Sequence, residues 1–327
     1  MQFAVFDQVE LDRDVSLSRQ YRDRMEYIRA LDEAGFWCYF KSEHHGIGLD
    51  AAPDSGTFLA AASQHTERMR LGSLVYLLPF HHPLRLAEHI AMLDNLCDGR
   101  LEVGIGKGIS SPEHELWGLD PDQGGARRDE AFEVLVKALT SDTVDHHGVH
   151  YRFDGMPVTV RPVQQPHPPF WYPGNVRAAA QRGMNTVTGG PPSHVASQVE
   201  LYRSLCDEAS AGRGQVAGTY TFLVCETDDE ALSRVRSAWA RFTENLTPLF
   251  RRWGLAVPND PTCGGDVDVA LQRNSVIAGS PATVARFVER FEAESNADLM
   301  LCKFTWGDLS HAEAMRSMSL FVEATLA

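Results

Sequence analysis

The feature that most constrains this chain is a beat of short apolar runs separated by amphipathic stretches. Apolar runs recur at residues 2–6, 36–42, 69–78, 101–106, 170–173, 186–189, 219–225 and 299–305. Their length and β-branched or aromatic content read as buried strands. Helical periodicity falls between them, over 16–35, 54–67, 83–96, 127–139, 176–182, 194–211, 281–295 and 311–324. The stretch 83–96 is the clearest, with Leu84, Ala87, Ile90, Ala91 and Leu93 at helical spacing. Strands that alternate with helices pair in parallel through right-handed crossovers. Eight such units predict a single closed (β/α)8 TIM barrel over residues 1–327, with an open doubly wound sheet as the rival. A chain of 327 residues is within the range of one such barrel with insertions.

Two segments break the beat. Residues 141–169 are rich in His and Pro and predict a hairpin excursion. Residues 254–274 contain PNDPTCGGDVD, polar and turn-rich. A loop of that length in a compact barrel is expected to be a lid or a disordered insertion.

Composition serves mainly to exclude. A formal net charge of −14 argues against nucleic acid and against an anionic membrane surface. No window approaches the roughly 20 apolar residues of a membrane span. The six cysteines show no CxxC and no short pairing, so neither disulfides nor structural zinc are expected, and a reducing cytoplasm fits.

In barrels of this kind the chemistry sits at the C-terminal ends of the strands. There the second strand ends in SEHHG, residues 42–46. The histidine pair could bind a metal, carry acid–base chemistry, or be partly buried polar side chains. Alternation along a strand points His44 and His45 to different sides, which weakens the metal reading. No HExxH or HxH supplies further ligands, and no metal is expected. The fourth strand ends in VGIGKG, where alternating glycines let a flat ligand approach the backbone beside Lys107. GGARRDEAF places Arg127 and Arg128 at a helix start, and YPGNVRAAAQRG places Gly174 and Asn175 before another. Free N–H groups at a helix start suit a phosphate. Lys107, Arg127 and that helix start therefore form a candidate anion site; the alternative is three unrelated surface charges.

Together these motifs resemble the bacterial luciferase-like flavin monooxygenases. SEHHG resembles that family's EHH stretch. LPFHHPLRLAEHIAMLDNLCDGRLEVGIGKG, residues 78–108, resembles its longest signature. PPFWYPGNVRAAAQRG and GSPATVARFVERFEAESNADLML resemble its phosphate-side unit and its penultimate unit. The similarity spans essentially the whole chain. It implies a (β/α)8 barrel that binds reduced FMN supplied by a separate flavin reductase. Oxygen would add at flavin C4a, and the resulting peroxide would oxygenate a small organic substrate. It further implies a homodimer.

By the same resemblance His44 is the catalytic histidine, and Ser73, Leu74 and Val75 stack on the flavin where the family often has a non-proline cis peptide. Gly106 takes the reactive-face position; Lys107, Arg127, Gly174 and Asn175 hold the phosphate, with Tyr172 beside them. The luciferase α subunit carries cysteine where this chain has Gly106 and arginine where it has Lys107. Glycine is expected to open space over the flavin. Lysine keeps the charge but loses the bidentate fork. Phe6, His45, Phe80 and Trp306 are expected to line the substrate pocket. Trp171, Tyr172 and Trp306 fall at strand ends where a pocket would be; they suggest an aromatic or polyketide-like secondary metabolite, with rim packing as the alternative. The rivals are a deazaflavin-dependent hydride-transfer enzyme of the same barrel, a non-catalytic flavin-binding subunit, and a metal-dependent barrel hydrolase.

Overall fold

The computed structural model describes residues 1–109, 111–210, 212–252 and 265–326. In chain order the elements are β1 (Gln2–Asp7), α1 (Leu17–Glu33), β2 (Cys38–Lys41), α2 (Ser55–Ser63), β3 (Arg70–Leu77), α3 (Pro83–Leu96), β4 (Leu101–Gly106), α4 (Ser111–Leu116) and α5 (Gly124–Thr140). Then come β5 (Thr143–His147), β6 (Arg152–Pro157), β7 (Phe170–Trp171), α6 (Val176–Gln181), β8 (Thr186–Gly189), α7 (Pro192–Ala209), β9 (Val216–Val224) and α8 (Asp228–Arg252). The chain closes with α9 (Val267–Gln272), β10 (Val276–Gly279), α10 (Pro281–Ser295), β11 (Leu299–Lys303) and α11 (His311–Thr325).

The helix ends follow local chemistry. Asp54 caps α2 by accepting from the Thr57 N–H, and Ser310 and Glu313 form a reciprocal capping box on α11. Pro83 and Pro281 stand in the first turns of α3 and α10, where a missing N–H costs nothing. Gly35 follows α1 at φ +86°, a conformation open to glycine.

Eight parallel strands surround one axis in the order β7-β4-β3-β2-β1-β11-β9-β8. They are the eight predicted from the sequence. Where β7 meets β8 there is one parallel bridge, Trp171 to Asn185, rather than a ladder, so hydrogen bonding does not close the ring continuously. Strand β10 is an addition. The nine residues of β9 pair with β8 along their first half and with β10 along their second, both on one edge. Period-two alternation sorts the side chains. Ala4, Phe40, Leu74, Trp171, Val187 and Leu301 pack together inside the barrel, whereas Phe3, Val5, Tyr39 and Val103 face the helical layer.

Segment 141–169 contains the expected hairpin, β5 against β6. Helix α8 was not anticipated. Its buried Ala231, Val235, Ala238, Trp239, Phe242, Leu246 and Phe250 form one face and, with Leu49, Val276 and Trp306, a core of their own. Of the expected lid at 254–274, residues 254–264 lie outside the described residues. The remainder is not a loop: α9 occupies most of it, capped by Asp266, and the Trp239 indole donates to the Gly265 carbonyl at 2.8 Å.

Candidate active site

The site is built on the C-terminal end of β2. The last strand residue, Lys41, is fully buried, and its Nζ lies 2.6 and 2.7 Å from the two carboxylate oxygens of Asp50. Burial lowers the pKa of Lys41 despite Asp50, and raises that of Asp50 despite Lys41. Asp50 Oδ2 also accepts from Ser42 Oγ at 3.0 Å and from the His44 backbone N–H at 3.2 Å.

The next carboxylate, Glu43, is buried too. It accepts from the Leu77 N–H at 3.2 Å and lies against His45 Nε2 at 3.0 Å and His81 Nε2 at 2.8 Å. Burial works to raise the Glu43 pKa, but the hydrogen bonds and charges of the two histidines win and hold it down to about 2. In return Glu43 raises the pKa of His81, overcoming the opposite effect of burial.

His44 points the other way. Its Nδ1 lies 3.3 Å from Oε1 of Glu113 in α4, which also accepts the His45 backbone N–H at 3.0 Å. An ionised carboxylate only accepts, so this contact favours the arrangement with a proton on Nδ1 and leaves Nε2 facing away from Glu113. Among the described residues Nε2 has no hydrogen-bond partner. Glu113 is fully buried, and among the described residues its second oxygen has no partner either. Both side chains line a cavity of about 650 Å³. That volume is of the size that holds a cofactor.

The cavity brings together most of the residues singled out for the flavin. His44, Leu74, Val75, Gly106, Lys107, Tyr172, Gly174 and Asn175 all line it. The Leu74–Val75 peptide is cis, and the β3–β4 register shifts between Ser73 and Tyr76. Ser73 does not line the cavity: it is fully buried, and among the described residues its hydroxyl lacks a partner. The Asn175 side chain caps α6 by accepting from the Ala178 N–H at 3.0 Å, so that N–H is already satisfied. Nor does Gly106 leave open space. A Cβ there would stand 2.6 Å from Val75 Cγ2; the glycine makes room for Val75.

Arg127 is a second correction. Its guanidinium lies over the Tyr151 ring, 5.5 Å from the centroid, away from the cavity. Arg128 lines the cavity instead, 5.3 Å over the Tyr172 ring, with a 2.5 Å bond to the Tyr172 hydroxyl. Adjacent helical residues point about 100° apart, so only one of the two arginines can face the site.

The four expected substrate-pocket residues do not line this cavity. His45, as alternation requires, lies across Glu43 with Phe80, lining a separate cavity of about 300 Å³. There the His45, Phe80 and Trp117 rings meet, at 5.9 Å for His45–Phe80 and 5.1 Å for His45–Trp117. Phe6 packs with the barrel interior. Trp306 is buried, and its indole N–H, cut off from water, donates to the Phe222 carbonyl at 3.0 Å. Trp171, fully buried, donates to Glu102 at 2.6 Å and is core. The residues the sequence reading missed are Glu43, Glu113 and Arg128. Arg128 stood beside the residue chosen, and helical phase could have separated the two. Glu113 carries no local signal.

A parallel barrel with a histidine–carboxyl pair and two cations around one cavity has the form of a cofactor-binding α/β-barrel enzyme. The family described as luciferase-like monooxygenase matches residues 1–297, and the chain belongs to it. An uncharacterised protein of Sinorhizobium fredii is 33% identical over 94% of this chain and 91% of its own length. The oxygenase component of a flavin-dependent trigonelline monooxygenase from Acinetobacter baylyi is 32% identical over 57% of this chain and 53% of its own. Among solved structures, the monooxygenase RslO1 from Streptomyces bottropensis has a TM-score of 0.88 at 26% identity, over 100% of this chain and 99% of that one. Among the described residues no helix is long and apolar enough to cross a membrane.

Proposed function

We propose that the chain is the oxygenase of a two-component flavin monooxygenase. It takes reduced FMN from a separate reductase and uses O2 to oxygenate a small organic substrate. One observation carries this reading: the same cavity holds the His44–Glu113 pair and the cations Lys107 and Arg128. The donor set fits FMN. Lys107 and Arg128 would hold the phosphate by charge-assisted hydrogen bonds. Leu74, Val75 and Ile105 offer an apolar wall to the ring system. Reduced flavin, when bound, supplies the electrons that activate oxygen.

The chain's own part is proton control and exclusion of water. Glu113 keeps the proton of His44 on Nδ1, so Nε2 can accept a proton from a reacting group and return it. An imidazole is suited to this near neutral pH. The apolar wall of Leu74, Val75 and Ile105 would limit unproductive release of hydrogen peroxide by keeping water off the ring system. The test is direct. Protein loaded anaerobically with reduced FMN is mixed with ¹⁸O2 and candidate substrates, and product is analysed for one labelled oxygen. In parallel, FMN and a deazaflavin are titrated. Tighter deazaflavin binding with no oxygen consumption would refute the reading in favour of hydride transfer. His44→Ala should lower coupled turnover by roughly 10²–10⁴, the usual range for a lost acid or base.

A further inference from the structure

Beneath His44 lies an ion pair that the chemistry above does not use. Asp50 accepts from four groups at once. Lys41 Nζ bonds both oxygens, Ser42 Oγ and the His44 N–H bond Oδ2, and the Ala52 N–H bonds Oδ1 at 2.9 Å. Lys41 Nζ also donates to the Ser42 carbonyl at 2.7 Å. The pair is out of water, with Lys41 at 0% and Asp50 at 6% exposure. Stability is a weak reason for such a pair, since apolar side chains of similar volume often stabilise as much or more. What the carboxylate does here, and an apolar group could not, is fix the backbone of residues 42 to 44 as the chain leaves β2. That backbone sets where the His44 ring begins, and the ring must meet Glu113 at 3.3 Å.

We propose that Asp50, held in place by Lys41, is a positioning residue: it sets the His44 backbone so that the imidazole keeps its contact with Glu113. The proposal rests on the reading of His44 as the proton-handling group. Asp50 does not line the cavity, so it acts on the site through the backbone of residues 42 to 44 that it holds, and the ring signals of His44 isolate the part that passes through the imidazole. Displacing a reacting group by about 1 Å can cost on the order of 10²-fold in rate.

Two variants test this, alongside His44→Ala. Lys41→Met/Asp50→Leu replaces the pair with apolar volume; Asp50→Asn keeps the shape and removes one acceptor oxygen. Each is read first without flavin. Hydrogen exchange at the His44 amide, and ¹⁵N signals of its ring in histidine-labelled protein, report the backbone bond and the tautomer. The expected results are exchange faster by about tenfold, the scale of one lost hydrogen bond, and ring signals moved from the Nδ1–H form toward a tautomer mixture. With reduced FMN loaded, product per flavin oxidised should fall about tenfold or more while FMN affinity stays unchanged. Wild-type ring signals in either folded variant would overturn the proposal; if the double variant does not fold, Asp50→Asn decides alone. Wild-type coupling in His44→Ala would instead overturn the role of His44, and the ring signals would still judge the positioning.

Discussion

Gly106 and Val75 share one volume, and a double-mutant cycle measures the sharing. A methyl placed on Gly106 would stand 2.6 Å from Val75 Cγ2. Carbon atoms prefer about 3.5–4.0 Å, so the overlap is roughly 1 Å. Val75 cannot relieve it cheaply, because a β-branched side chain is stiff at χ1. Gly106→Ala should therefore destabilise by about 1–3 kcal/mol, the usual cost of overpacking. Val75→Ala alone removes two methyl groups from a half-buried site and should cost about 1 kcal/mol. Alanine at 75 has no γ carbons to collide with the new methyl. The double variant should thus cost less than the sum of the singles by about 1–2 kcal/mol. Gly104 is the internal control. A Cβ there would stand 2.4 Å from the Ser73 carbonyl oxygen, and no side-chain truncation removes a backbone atom. Gly104→Ala should be at least as costly, with no rescue by Val75→Ala. The assay is urea denaturation followed by tryptophan fluorescence for all five variants. If the 75 and 106 effects add within about 0.5 kcal/mol, as for independent sites, the shared-volume argument is wrong.

Three further outcomes are expected. Arg128→Gln should weaken FMN more than riboflavin, by the roughly 1.5–3 kcal/mol of a charge-assisted contact, whereas Arg127→Gln should leave both affinities nearly unchanged; fluorescence titration of the two flavins decides, and the reverse ordering would return the phosphate to Arg127. Glu43 falls from an ordinary 4.5 to about 2 on folding, which at about 1.4 kcal/mol per unit corresponds to about 3 kcal/mol. Because that pKa is depressed, the contribution is present above pH 4.5 and is lost as pH falls toward 2, so the stability gap between wild type and Glu43→Gln should narrow over that window in urea melts. A gap that does not change with pH would contradict the assignment. Trp306→Phe should lower stability through the lost bond to Phe222 while leaving flavin affinity unchanged; a flavin titration showing clear weakening would place Trp306 at the cavity after all.

Several features were legible in the sequence because they are written in short windows. The eight barrel strands follow from apolar runs of strand length, and α3 and α10 begin at Pro83 and Pro281, where the chain's chemistry marks a helix start. The opposed directions of His44 and His45 follow from the two-residue period of a strand. Helix α8 was equally legible, since its buried residues share one face; the periodicity was there to be found over 231–250. Other features have no local trace. Glu113 reaches His44 across 69 positions of chain because α4 folds back over the barrel mouth. Asp50 returns to Lys41 only because a turn after β2 closes beneath the strand end, where both side chains are out of water and each charge needs a partner. The choice of Arg128 over Arg127 depends on the rotational phase of α5 against the barrel. A strand or a helix is selected by interactions a few residues apart, so sequence patterns carry it. A site is a meeting of side chains whose distance in space is set by how whole elements pack, and that packing is decided only when the tertiary structure forms.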